Sequence, residues 1–103
     1  MEYPALPSHI GNHGVLTFPD GSQQHFTIDD EIQRPHTGVD TKIICLQLLR
    51  FDEDGRKQVR VAYYVIGKRP KMLDRWVWGQ YATMMPLEDF KWLIHQAEEK
   101  GWF

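Results

Sequence analysis

Basic and aromatic side chains are interleaved in the middle of this 103-residue chain. Residues 42–75 carry nine lysines and arginines against four acids, although the whole chain has a formal net charge of -2. Single-stranded nucleic acid is held by cations along its phosphates and by flat rings on which its bases stack. The region therefore indicates a nucleic-acid surface, and a solvated hairpin lined by lysines and arginines is the simpler interpretation. The interleaved groups are Arg60, Tyr63, Tyr64, Lys68, Arg69, Lys71, Arg75, Trp76, Trp78 and Tyr81.

Most of these residues form the candidate nucleic-acid-binding set. Cations in a flexible loop suit phosphates, and large rings on a strand suit bases. We expect phosphate contacts from the loop cations and a stacking surface from a tyrosine or a tryptophan. The candidates are Arg60, Tyr64, Lys68, Arg69, Lys71, Arg75, Trp76 and Trp78.

Histidines and acids near the start of the chain offer a second kind of chemistry. His9 and His13 have the i, i+4 spacing of two metal ligands on one helical face. Gly11 and Asn12 between them argue against a helix, so that geometry is lost. The acidic run at residues 29–31 offers oxygen ligands, but solvated loop residues are the simpler interpretation. We expect no metal and no other cofactor.

No catalytic motif stands out in the sequence. The serines are Ser8 in the first segment and Ser22 in a turn, and Cys45 lies in an apolar strand where a thiol is normally inert. The acids at residues 29–31 have the composition of a carboxylate pair, although a solvated turn also explains them. No glycine pattern matches a phosphate-binding loop. We therefore predict a small, non-enzymatic binding protein.

A hairpin is predicted over residues 14–28. Two short runs of alternating polarity, 15–18 and 25–28, flank the sequence Pro-Asp-Gly-Ser at 19–22, which is typical of a tight turn. Leu16 and Phe18 are expected to share a buried face with Phe26 and Ile28.

The central sheet is predicted over residues 42–85. Residues 29–41 contain Pro35 and Gly38 and no consistent period, so we expect a surface connection there. Residues 43–49 are apolar at nearly every position, which is typical of a central strand covered on both faces. A turn at 52–55 leads into a strand over 58–66, and residues 76–85 are predicted to be extended.

A C-terminal helix is predicted over residues 86–100. Proline and two acids suit its first turn, and Gly101 is placed to end it. At 100° per residue Trp92 falls on the side away from the apolar stripe. The residues on that stripe are Leu87, Phe90, Leu93, Ile94 and Ala97.

These elements predict one α+β domain over residues 1–103, with residues 1–8 as a flexible tail or an arm along the sheet edge. The antiparallel sheet has about five strands, as two hairpins plus one strand, and is covered by one C-terminal helix. The sheet has two faces and only one helix to cover them. We expect the second face to meet the N-terminal hairpin, a ligand or another subunit, and we predict a homodimer.

A run of strands leads through residues 83–93, Thr-Met-Met-Pro-Leu-Glu-Asp-Phe-Lys-Trp-Leu, into the amphipathic helix. Over residues 42–100 this pattern resembles the strand-repeat-plus-helix modules of Whirly and Pur-type single-stranded-DNA-binding proteins. The resemblance implies a dimer that binds single strands along a curved sheet.

A protein-binding adaptor or inhibitor is the alternative function. Acidic and basic regions lie side by side in the chain, and an exposed Trp92 would suit an interface. The predicted partner is thus single-stranded nucleic acid or another protein. We expect no membrane association, because apolar runs are only a few residues long. No signal peptide is evident, and the single cysteine makes the cytoplasm the expected location.

Overall fold

The computed structural model describes residues 3–79 and 82–103 of the chain. A five-stranded antiparallel sheet has its strands in chain order, each paired with the next, and one helix follows. The predicted α+β class, with about five strands and one C-terminal helix, is confirmed. The strands are β1 (His13–Thr17), β2 (Gln23–Pro35), β3 (Lys42–Phe51), β4 (Lys57–Ile66) and β5 (Trp76–Trp78), and the helix is α1 (Leu87–Glu99).

Short turns join the strands that the sequence predicted as hairpins. Between β1 and β2 the Phe18 amide donates to the Ser22 carbonyl over 2.8 Å, and Gly21 takes the left-handed φ of 87° that a turn requires. Gly55, with a φ of 75°, does the same between β3 and β4. These local signals fix which strands are neighbours.

Strand β2 is longer than the sequence suggested. Residues 29–35 continue the strand to Pro35, so the expected surface connection begins only after that residue. The pairing with β3 shifts between Ile28 and Asp30, which leaves Asp29 as a bulge. A bulge moves the following side chains to the opposite face. Phe26 and Ile28 therefore lie on one face while Ile32 lies on the other. Because the alternation of apolar residues is interrupted at the bulge, the sequence did not predict the second half of β2.

The two faces of the sheet carry separate apolar clusters. We call the side against which α1 packs the helix face; there Ile32, Ile44, Leu46, Leu93 and Ala97 form one cluster. We call the opposite side the arm face; there Phe26, Ile28, Leu49 and Phe51 form the other. Residues 43–49 contribute to both clusters, so the predicted central strand covered on both faces is confirmed.

Helix α1 packs with a different side inward from the one predicted. Leu93 and Ala97 are buried as expected, but Leu87 is 87% exposed and Phe90 is 51% exposed, so their placement in the buried stripe was wrong. The fully buried Asp89 explains the rotation. Its carboxylate accepts hydrogen bonds from Arg34 Nε over 2.8 Å and from Thr37 N and Oγ1 over 2.8 and 2.6 Å. These bonds hold the Asp89 side of the helix against the end of β2.

The last strand is shorter than the predicted extended segment. β5 ends at Trp78, residues 82–86 have no regular structure, and Gln80 and Tyr81 lie outside the described residues. No helix within residues 3–79 and 82–103 has the length and apolar character needed to cross a bilayer.

Candidate nucleic-acid interface

Three of the predicted site residues meet on the arm face. Tyr64 on β4 pairs with Trp78 on β5, and the two rings contact edge to face with centroids 5.4 Å apart. The guanidinium carbon of Arg60, on the same face of β4, lies 5.0 Å from the centre of the Trp78 ring and 5.0 Å from that of Phe26. A cation between two rings, beside a third ring, is the composition expected of a surface that stacks bases.

The segment of residues 3–10, which we call the arm, lies across the arm face. The Trp76 indole donates to the Pro4 carbonyl over 2.6 Å, and Tyr3 contacts the same indole with ring centroids 6.2 Å apart. Further along, the His9 ring stacks on Tyr64 at 5.0 Å with only 6° between the planes. The arm therefore contacts Trp76 and Tyr64 and leaves Trp78, 42% exposed, as the most accessible ring of the three.

A chain of polar contacts runs beneath the arm and ends at Arg60. Arg60 Nε and Nη2 donate to Gln47 Oε1 over 3.0 and 2.7 Å, and Gln47 Nε2 donates to Glu31 Oε2 over 2.6 Å. Glu31 also accepts from Gln33 Nε2 and from the His9 amide, and His9 Nδ1 lies 2.9 Å from Glu31 Oε2. Buried polar groups that are all paired make a rigid support, so this chain fixes the Arg60 head group in place.

Burial and hydrogen bonding move the pKa values along this chain. Burial alone would raise the pKa of Glu31, but hydrogen bonds from Gln47, Gln33 and His9 outweigh it and lower the pKa, so Glu31 is ionised. Burial lowers the pKa of Arg60, and the negative charge of Glu31 opposes that shift. Burial raises the pKa of Tyr64. At neutral pH these polar contacts thus join one carboxylate, that of Glu31, to one guanidinium, that of Arg60, and the Tyr64 hydroxyl stays protonated.

A pocket of about 290 Å³ opens between the arm, β1 and the Arg60 side chain. This volume is at the small end for ligand sites, which suits one flat heterocycle and not a large molecule. Its walls combine rings, histidines and apolar side chains around one cation. The lining residues are His9, Asn12, His13, Gly14, Val15, Phe26, Ile28, Gln47, Arg60, Tyr64 and Trp78.

The predicted phosphate-binding cations lie in the loop between β4 and β5. Lys68, Arg69, Lys71 and Arg75 are exposed, and none of them has an ion pair with an acid in the described part of the chain. Elsewhere the cations are largely neutralised: acidic partners lie beside Arg34, Arg50, Arg56, Lys57 and Lys100. The excess positive charge of the middle of the chain is therefore concentrated in this loop, which we call the cationic loop, beside the two tryptophans of β5.

The structure groups the predicted residues into a ring cluster and the cationic loop. Arg60 and Tyr64 both contact Trp78, and Trp76 lies on the same face beneath the arm. The supporting residues were missed, because Gln47 lies in an apolar strand and Glu31 in a run of acids that resembles a turn. The glutamine within the otherwise apolar run 43–49 is the sequence feature that indicates buried polar contacts at this point.

Other chemistry that the sequence suggested has little support in the geometry. Within residues 3–79 and 82–103, no three His, Cys, Asp or Glu side chains are grouped to hold a metal ion. Cys45 is fully buried, and burial raises the pKa of its thiol to about 12. Ser22 Oγ donates to the Asp20 carboxylate in an exposed turn, away from any histidine contact in the described residues.

No family model matches the chain, and comparisons with curated proteins and with solved structures find no match either. The resemblance to Whirly and Pur-type modules stays a prediction.

Proposed function

We propose that this protein binds single-stranded nucleic acid along the arm face and the edge formed by β5. A base stacks on Trp78 at the mouth of the pocket, and the neighbouring phosphates contact the cationic loop. The observation that carries the proposal is the position of this loop next to the strand that bears the exposed ring, with no acid of the described residues paired to its cations.

The ring geometry favours unpaired bases. A base can stack on Trp78 only if its flat surface is free, which a duplex interior does not allow. Trp78 is 42% exposed on an edge strand, so a base can approach it from solvent. Arg60, held 5.0 Å from this ring by Gln47, adds a fixed positive charge beside the stacked base.

The spacing of the two parts suits a short strand. Along β5, Trp76 and Trp78 lie on the same face, roughly 7 Å apart at the usual rise per residue. The cationic loop adjoins Trp76, and its Gly67 amide donates to the Arg75 carbonyl over 2.8 Å. One base at Trp78 therefore leaves room for a few following phosphates along the loop.

The proposed cellular setting is the cytoplasm. The sequence holds one cysteine, Cys45, and therefore no internal disulfide, which is usual for proteins of a reducing compartment.

Two kinds of variant test the proposal, because one removes the neutralisation of phosphates and the other removes the stacking of a base. The triple variant Lys68→Ala, Arg69→Ala, Lys71→Ala should bind an oligo-dT strand more weakly and with a flatter salt dependence, by about 0.7 in slope for each phosphate that is no longer neutralised. Trp78→Ala should weaken binding by about 1–3 kcal/mol and leave the slope unchanged. Fluorescence anisotropy of a labelled strand at several salt concentrations measures both effects.

Matched controls keep this experiment specific. Arg50→Ala, Lys57→Ala, Lys100→Ala removes the same charge from other parts of the surface, where each cation lies beside an acid, and should change the slope little. Trp92→Ala removes an indole of similar exposure, 37%, on the opposite side of the molecule. If the loop variant binds like the wild type, or if neither of the two binds at moderate salt, the proposal is wrong and a protein partner becomes the better hypothesis for this surface.

A further inference from the structure

Helix α1 covers only part of the helix face. Its buried residues Leu93 and Ala97 pack on β2 and β3 through Ile32, Ile44 and Leu46. On β4, the valines that point to the same face stay open: Val59 is 49% exposed and Val61 is 43% exposed. An uncovered apolar region therefore lies beside the helix.

This region continues onto the segment that precedes the helix and onto the helix itself. Met84 is 79% exposed, Leu87 is 87% exposed and Phe90 is 51% exposed. We call Val59, Val61, Met84, Leu87, Phe90 and Ile94 the apolar strip. A groove of about 560 Å³ runs between Val61 and the start of the helix, a second of about 380 Å³ runs along the helix, and Phe90 lines both.

The strip is a contiguous apolar patch, since most of its members line adjoining grooves. From the exposed fractions of its members, the strip presents on the order of 500–600 Å² of apolar surface. This area lies at the upper end of the range of about 300–600 Å² for the largest apolar patch of a typical monomer, and such a patch is often functional.

Charges beside the second groove point to its occupant. Lys91 and Glu98 both line this groove and are separated by two helical turns, about 10 Å along the axis. Neither has an ion pair within the part of the chain that the structure describes. The groove thus has a positive end at Lys91 and a negative end at Glu98. The same groove of a second copy, turned by 180°, places its negative end against the positive end of the first.

We propose that a second copy of this chain covers the apolar strip, with the two α1 helices packed antiparallel about a two-fold axis. The axis passes between Ile94 and His95, so Lys91 of each copy faces Glu98 of the other. Such an isologous contact uses the same residues twice and closes on itself as a dimer. This interface lies on the helix face, separate from the arm face proposed for nucleic acid.

The area also fits a dimer of moderate strength. Two strips together bury on the order of 1,000–1,200 Å², at or just below the lower end of the range of about 1,200–2,000 Å² for specific interfaces. We therefore expect a reversible dimer with a dissociation constant on the order of micromolar. The polar residues beside the groove, including the His95 and Glu99 pair at 3.1 Å, form the rim.

Sedimentation velocity on the full chain tests this proposal directly. The mass should rise from 12.2 kDa toward twice that value as the protein concentration rises from low micromolar to near millimolar. Lys91→Glu and Glu98→Lys should each weaken the dimer by about tenfold or more, because each places like charges opposite one another. Glu53→Lys, which makes the same change of charge in the exposed turn between β3 and β4, should have little effect.

Combining the charge reversals gives the sharpest result. An equimolar mixture of the Lys91→Glu chain and the Glu98→Lys chain should form heterodimers, since one chain then presents two acids to two lysines of the other and both cross-interface pairs are attractive. The double variant in one chain should also recover dimerisation. Leu87→Ser with Met84→Ser, at two largely exposed positions, should abolish the dimer without unfolding the chain.

Two outcomes would overturn the proposal. A mass of 12.2 kDa at every concentration would leave the strip to a different partner. A dimer that persists in both single reversals, or that the double variant does not restore, would exclude the antiparallel helix contact.

Discussion

The substitution Asp89→Asn should lower the free energy of unfolding because it removes a buried charge from its partners. The Asp89 carboxylate is fully buried, faces Arg34 at 2.8 Å and accepts two further hydrogen bonds from Thr37. An asparagine keeps the shape but loses the charge. Its amide NH2 would also face an N–H or O–H donor of Arg34 or Thr37, where Asp89 has an acceptor oxygen.

The magnitude follows from the pKa of this group. Burial alone would raise the pKa of Asp89, but the hydrogen bonds from Thr37 and Arg34 hold it at about 2, below its ordinary value of 3.8. At about 1.36 kcal/mol per pKa unit, this difference corresponds to about 2 kcal/mol. Arg34 is 23% exposed, so solvent screens part of the attraction. We expect a loss of about 1–3 kcal/mol at neutral pH.

The same substitution should change how stability depends on pH. The pKa of Asp89 is lower in the folded than in the unfolded chain, so its stabilisation is present above pH 3.8 and is lost as the pH falls toward about 2. Asp30 and Glu31 also have lowered pKa values and contribute to acid unfolding in both proteins. The difference between wild type and variant should therefore shrink between about pH 4 and about pH 2.

Urea unfolding followed by tryptophan fluorescence, at neutral pH and at two acidic values within that window, measures this difference. Thr37→Val, which removes only the hydroxyl donor, is the partial control and should cost about 1 kcal/mol. A variant within about 0.5 kcal/mol of wild type at neutral pH, or a difference that stays constant as the pH falls, would refute the assigned role of Asp89.

Two further predictions concern the core. The Cys45 thiol, with a pKa raised to about 12 by burial, should resist a thiol reagent at mildly alkaline pH in the native protein and react rapidly in denaturant; rapid native reaction would contradict its burial. Gly79→Ala would place a Cβ against the Tyr63 ring and should cost about 1–3 kcal/mol, measured as a lower urea midpoint with an unchanged slope. An unchanged midpoint would show that Tyr63 moves aside freely.

Local signals in the sequence were enough to predict the hairpin pairings. Proline, aspartate and glycine at the turn of residues 19–22, and Gly55 in the next turn, act through backbone geometry over a few residues. The apolar run of β3 required cover on both faces wherever its partners lay. These features depend little on distant contacts, so they could be predicted without the structure.

The missed features depend on contacts between distant parts of the chain. The bulge at Asp29 interrupts the alternation of β2, and only the pairing with β3 reveals it. The rotation of α1 depends on Asp89, which meets Arg34 and Thr37 from a distant part of the sequence. An aspartate in a first helical turn usually faces solvent and the helix dipole, so its burial could not be expected.

The sequence predicted which residue types make up the candidate site, but it did not predict the hydrogen bonds that hold Arg60 in place. Aromatic and basic residue types made Trp78, Arg60 and the loop cations candidates, and the structure places Arg60 beside Trp78. The contacts of Arg60 with Gln47, and of Gln47 with Glu31, arise only when β2, β3 and β4 lie side by side.

The four tryptophan indoles give the most direct test of nucleic-acid binding at the arm face. Trp76 and Trp78 lie on β5, whereas Trp92 lies on α1 and Trp102 just after it, where it donates to Asp30 over 3.0 Å. In an ¹⁵N-labelled sample, titration with a short oligo-dT strand should shift the indole N–H signal of Trp78 most, shift Trp76 less, and leave Trp92 and Trp102 unchanged. Shifts confined to Trp92 and Trp102, or no shift at any indole at low salt, would contradict the proposed interface.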